Sequence, residues 1–185
     1  DILQKNNARA TFFVLGNRVD NFPNIIQREY SQGHEIGSHS FSHPQITTLT
    51  SEEIEYQFTE TEHRIQQYVP YTTKLIRPPY GQITQSLKEV LQKTFVLWSI
   101  DTQDWKTRDK DAIVSEVLNN VKDGDIILMH DMYSTTADAC EELIPALIER
   151  GYQLVTVSEL LNAKEITPVA GSVYSRVLST GNAAS

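Results

Sequence analysis

Short apolar runs with no polar face recur along this chain, and they narrow its fold more than any other feature. Residues 10–15 (ATFFVL), 94–100 (TFVLWSI) and 126–129 (IILM) each read as a strand buried on both sides, not one that alternates between core and water. Residues 34–38, 74–77 and 153–157 supply three more strands, with 94–100 the clearest of the six. Helical patterns separate them. Pro23 opens a helix that Gly33 closes. Thr50 or Ser51 caps a longer one, with Glu52 and Glu53 in its first turn and Ile54, Phe58, Thr61, Ile65 and Tyr68 along one stripe. Further helices are expected over 84–93, from Asp109 to about Val121, over 136–150 and from Ser158. Strands alternating with helices predict an α/β fold, a parallel sheet covered by helices, open or closed into a barrel.

The chain is long enough for such a core. Its 185 residues suit one domain. A net charge of −8 repels phosphate backbones, so no nucleic-acid partner is expected. No apolar run approaches the roughly 20 residues of a transmembrane helix. Cys140 is the one cysteine, which excludes an intrachain disulfide, and it is expected to be a buried structural thiol. The stretch from Thr167 lacks periodicity and reads as a loose or extended tail.

In folds of this class chemistry gathers where strands end. His39 and His43 follow the second expected strand, and Arg77-Pro-Pro-Tyr-Gly81 follows the third. Asp101, Asp104 and Trp105 follow the fourth; His130 and Asp131 follow the fifth. Each has a plainer alternative. A His-x3-His pair arises by chance, although two imidazoles plus a carboxylate would satisfy a catalytic zinc. Arg77 fits a stiff surface turn, Asp101 and Asp104 fit turns or caps, and His130 fits a satisfied core histidine. His34 reads as structural and His63 as solvated.

Taken in order, ATFFVLG, His39-Ser-Phe-Ser-His43, Arg77-Pro-Pro-Tyr-Gly81, Asp101-x-x-Asp104-Trp105 and Leu128-x-His130 closely resemble the NodB-type polysaccharide deacetylases, carbohydrate esterase family 4. The resemblance spans residues 1 to about 163, which it marks as the catalytic domain, with 164–185 as a C-terminal extension. It implies a distorted (β/α) barrel of about seven parallel strands, the first of them absent from this chain. It implies a metal-dependent hydrolase that removes acetyl groups from amino sugars of peptidoglycan or a chitin-type polymer. The alternatives are an acetyl xylan esterase, an inactive carbohydrate-binding relic, or an unrelated barrel with structural residues at its rim.

Residue by residue, the resemblance makes His39 and His43 ligands of one divalent ion, zinc in the first instance and cobalt as a second option. Ser40 would brace their loop. Arg77 would orient the catalytic carboxylate. Tyr80 would offer its amide to the oxyanion. Asp104 would tune His130 or pair with Arg77. Trp105 and Leu128 would wall the acetyl pocket, and His130 would be the general acid, kept protonated by a neighbouring carboxylate. The family's Thr-Phe-Asp-Asp-Gly-Pro segment, which supplies the general base and the third metal ligand, does not occur in the 185 residues. A short N-terminal fragment carrying that Asp-Asp pair is therefore expected as a partner, beside the acetylated polysaccharide substrate. Work on such a polymer implies an extracellular or cell-surface, cell-wall-associated location.

Overall fold

A computed structural model describes residues 1–178. Residues 179–185 of the expected C-terminal extension lie outside the described part. Its strands are β1 (Thr11–Val14), β2 (Glu35–Ser38), β3 (Leu75–Ile76), β4 (Thr94–Val96), β5 (Ile100–Asp101), β6 (Ile127–Leu128) and β7 (Val173–Tyr174). Its helices are α1 (Ile2–Lys5), α2 (Gly16–Val19), α3 (Pro23–Ser31), α4 (Ser51–Gln66), α5 (Gln85–Leu91), α6 (Asp104–Thr107), α7 (Lys110–Asn120), α8 (Ser134–Glu149) and α9 (Val157–Ala163). The chain gathers into two compact units.

One unit comprises Thr11–Leu97 and Thr167–Tyr174. It holds a five-stranded parallel sheet in the order β1-β2-β3-β4-β7, with Phe13 opposite Gly37 and Ile76 opposite Phe95. The apolar stripe of α4 serves two clusters in this unit. Ile54 and Phe58 join Ile46, Ile76, Leu87 and Phe95, and two turns further on Ile65 joins Val19, Ile26, Ile36 and Val69. Thr50 caps the helix as expected. Its hydroxyl takes the Glu53 amide at 3.3 Å while the Glu53 carboxylate takes the Thr50 amide at 2.8 Å, so two end amides are satisfied reciprocally.

The other unit comprises residues 1–10, 98–166 and the tail from 175. Its parallel pair β5-β6 packs with α7 and α8 around Ile100, Ile113, Val117, Ala139, Leu143 and Leu147. Asp109 caps α7 by accepting the Ala112 amide at 3.0 Å. Cys140, expected to be buried, is partly so, with its Sγ 3.7 Å from Met129 Sδ, and that burial pushes its thiol up to about 11.

Two expectations about strands are corrected. Residues 94–100 are not one strand. The Leu97 amide bonds Tyr174 O in one sheet and the Ser99 amide bonds Ile126 O, so the run changes partners midway. Residues 153–157 form no strand: Leu154 O takes the Arg9 amide at 3.0 Å, a single rung, and Thr156 turns instead to capping α9 through Glu159. Of the two readings of the tail from Thr167, the extended one holds at Val173 and Tyr174, which pair with Phe95 and Val96 as β7. Beyond it Arg176 reaches the buried Asp125 carboxylate, and Val177 is itself buried.

Gly124 shows how closely that tail is held. Its φ is +88°, its carbonyl takes the Val177 amide at 2.8 Å, and a Cβ there would lie 1.9 Å from the Val177 carbonyl oxygen. Gly151 has nearly the same φ, +87°, but its Cβ would meet nothing within 4 Å. Gly124→Ala should therefore lose about 2–3 kcal/mol of stability and Gly151→Ala about 1 kcal/mol. Equal shifts in their urea denaturation midpoints would refute the tail contact.

Candidate active site

Four of the residues singled out from the sequence sit just after a strand. His39 follows β2, Arg77 follows β3, Asp104 follows β5 within three residues, and His130 follows β6 within two.

In the five-stranded unit the arrangement builds outward from Gly37. A Cβ at Gly37 would lie 2.5 Å from the Phe13 ring, so only glycine lets that ring lie across β2. The Arg77 guanidinium sits 4.3 Å from the centroid of the same ring. Arg77 also donates to the carbonyls of Val96 and Leu97, at 3.4 and 3.1 Å. Burial lowers its guanidinium to about 10. A surface arginine in a stiff turn is thereby excluded, since Arg77 is only 8% exposed.

The Arg77 carbonyl holds His39, whose Nδ1 lies 2.6 Å from it. A carbonyl only accepts, so Nδ1 carries the proton, and in the neutral ring Nε2 carries the lone pair. This is how a metal-binding imidazole is commonly oriented. The His39 and His43 rings meet edge to face at 4.8 Å, and His43 meets the Tyr80 ring likewise at 4.6 Å. The connecting loop is fixed from within and from α4. Ser40, fully buried, accepts the His43 amide at 3.0 Å, the bracing expected of it. Gln57 Oε1 accepts the amides of Phe41 and Ser42, each at 2.9 Å. Tyr80 adopts φ 57° and ψ 13° in a 3-10 turn whose bonded amides are those of Gly81 and Gln82.

Two imidazoles, when neutral, suit a divalent ion of zinc type by donor chemistry. Among the described residues, no three His, Cys, Asp or Glu side chains form a group able to hold a metal ion.

In the other unit Asp104 is fully buried. Its Oδ1 accepts His130 Nδ1 at 2.7 Å and the Trp105 amide at 2.9 Å. Its Oδ2 accepts the His130 amide at 2.6 Å and the Thr136 hydroxyl at 2.8 Å. Burial on its own would raise the Asp104 carboxyl; the bonds from the His130 ring and amide and from Thr136 outweigh it and hold the group below its ordinary value. An ionised carboxylate only accepts, so His130 Nδ1 donates and Nε2 is the outward nitrogen. The His130 side chain is 34% exposed, which removes the core-histidine alternative. Of the two roles foreseen for Asp104, these bonds describe the pairing with His130.

Trp105 is half exposed and Tyr133 lies 6.3 Å from the His130 ring, centroid to centroid. Leu128 is buried, with its carbonyl bound by the Thr102 hydroxyl. Asp101, the last residue of β5, accepts the Gln103 amide. His34 packs edge-on against Phe12, and His63 is solvated beside Glu60. Gln57 and Thr136 escaped the reading of the sequence. Gln57 lies three residues from Ile54 and four from Thr61 on α4, a weak sign that it faces inward.

Because its folded-state carboxyl lies below the ordinary aspartate value of 3.8, Asp104 stabilises the fold above that value and loses its contribution as pH falls through the depressed one. The stability gap between the protein and Asp104→Asn should be widest near neutrality and narrow below about pH 4. A gap independent of pH in urea titrations would contradict the ionised, donor-bound carboxylate.

The chain was compared with known proteins. Residues 1–96 match the family model for polysaccharide deacetylase. The peptidoglycan-N-acetylmuramic acid deacetylase PdaC of Bacillus subtilis (strain 168) is 44% identical over 89% of this chain and 35% of its own. Its solved structure superposes with a TM-score of 0.87, covering 89% of this chain and 82% of that one. The peptidoglycan-N-acetylglucosamine deacetylase PgdA of Listeria monocytogenes is 38% identical over 89% of this chain and 35% of its own. A family 4 acetyl xylan esterase from Clostridium thermocellum, solved with a cobalt ion, gives a TM-score of 0.90 at 34% identity, covering 96% and 89% of the two chains. The chain spans about a third of the length of the curated relatives named here.

Proposed function

We propose that this chain, which belongs to the polysaccharide deacetylase family, removes acetyl groups from the amino sugars of peptidoglycan by metal-dependent hydrolysis, at a cell wall outside the cytoplasm. The observation that carries the reading is the His39–His43 pair, with one ring pinned through Nδ1 to the Arg77 carbonyl. Family membership removes the unrelated-barrel alternative. The peptidoglycan deacetylases among the relatives favour an N-acetylated amino sugar, and the acetyl xylan esterase keeps an O-acetyl substrate as the second reading.

His39 and His43 would hold the ion, which would polarise the acetyl carbonyl and acidify a water. Two imidazoles are one protein ligand short of a catalytic zinc site. The reading therefore includes a carboxylate from sequence beyond the 185 residues, on the same polypeptide or a separate fragment, and with it the base that takes the water's proton. Zinc or a similar divalent ion suits imidazole donors.

The remaining steps belong to residues in this chain. The Tyr80 amide donates to the oxygen on which charge develops. An amine leaves poorly as an anion, so a proton must reach its nitrogen, and His130 supplies it from Nε2. Asp104 holds Nδ1–H throughout, fixing the ring and balancing its charge while both nitrogens are protonated. Arg77 supports the site through its own backbone carbonyl. Trp105, Tyr80 and Tyr133 offer apolar faces for a sugar.

The test is acetate release from acetylated amino-sugar oligomers and from acetylated xylan, using the full-length protein with added zinc or cobalt. His130→Ala should lower kcat by about 10²–10⁴-fold with metal content unchanged. His39→Ala should lose the metal itself by elemental analysis. Sugar binding without acetate release would favour the inactive relic. Full metal occupancy in His39→Ala would refute the ligand role.

A further inference from the structure

Thr136 is buried, in the first turn of α8, and its hydroxyl points away from its own helix. A threonine there ordinarily turns its oxygen back to local backbone groups. Here it donates to Asp104 Oδ2 at 2.8 Å, across 32 residues of sequence. The other donors on this carboxylate are the Trp105 amide, the His130 amide and the His130 ring. Trp105 is the very next residue and moves with Asp104. Among the described residues, Thr136 is therefore the one side chain, apart from His130 itself, that ties the carboxylate to a separate element.

The consequence is geometric. Rotation of a carboxylate about its last torsion is soft. With the Thr136 bond removed, Oδ2 keeps only the His130 amide, and the plane of the group is less well fixed. The contact that suffers is Oδ1 with His130 Nδ1, and that contact sets the direction of Nε2. Thr136 is β-branched, with few χ1 choices, and is packed on all sides, so its oxygen is held in place before any substrate arrives.

We propose that Thr136 is a positioning residue for the proton donor, orienting His130 through Asp104. The proposal rests on the reading of His130 as general acid. It assigns no contact with substrate to Thr136.

The experiment compares Thr136→Val, Thr136→Ala and Thr136→Ser with Thr135→Val in the full-length, metal-loaded protein. Thr135 controls for changes at the start of α8, since its buried hydroxyl has no hydrogen-bond partner among the described residues. Thr136→Val and Thr136→Ala should lower kcat by about tenfold with KM within about twofold of the parent. Thr136→Ser should recover at least about half of the parent kcat, and Thr135→Val should match the parent. The second readout is the proton resonance of His130 Nδ1–H, which should broaden by exchange in the Val and Ala variants and persist in Ser. An unchanged resonance in Val or Ala, together with kcat within about twofold of the parent, overturns the proposal. If Thr136→Val does not fold, Ala against Ser decides. If the unsubstituted protein releases no acetate, the deacetylase reading fails, and the resonance alone tests the orienting role.

Discussion

A carboxylate removed from water costs several kcal/mol unless donors replace its hydration, and Asp104 has no exposure at all. Four donors surround it, drawn from the start of α6, from His130 beyond β6 and from the first turn of α8. None of those segments can shift without leaving charge uncompensated. The same need that fixes the backbone also fixes an imidazole, because the acceptor that must be satisfied is satisfied partly by His130. Stability and ring orientation are therefore two results of one arrangement.

The five-stranded unit reaches a similar end without a buried anion. There the tether for an imidazole is a backbone carbonyl, that of Arg77, and its position depends on a guanidinium lying over Phe13 and a ring lying over Gly37. In each unit the protein occupies the Nδ1 of one imidazole. His39 is tied by a neutral oxygen, which would suit the ring proposed to bind a cation, and His130 by a charged oxygen, which would suit the ring proposed to deliver a proton. The choice of acceptor separates the two proposed roles.

Local signals proved readable where they repeat or pair. The capping residues Thr50 and Glu53 and the stripe from Ile54 to Ile65 specify α4, and the alternation of helices with unbroken apolar runs specifies parallel strands. The same unbroken runs conceal which partner each residue takes. TFVLWSI is apolar throughout, so nothing in it marks the change at Leu97–Ser99 from one sheet to another. Residues 153–157 have the composition of a strand, yet Thr156 is used as a cap, and a cap and a ladder compete for the same backbone. Val173 and Tyr174 carry too little pattern to announce a strand, because the pairing that makes them one lies with Phe95 and Val96. At the site, histidines and aspartates after strands were legible. Thr136 was not, because the acceptor of its hydroxyl, Asp104, lies 32 residues away in sequence.

The position of β7 bears on how the chain acquires its shape. Its strand partner β4 is complete about eighty residues before β7 is synthesised, so one side of β4 has no mate until β7 has emerged. The preceding strands can associate as they emerge, each with its neighbour in order. Closing the sheet then waits on a segment with little tendency to form a strand by itself. Growing chains halted before that point would present unpaired amides along β4 and would be the species most exposed to wrong pairing.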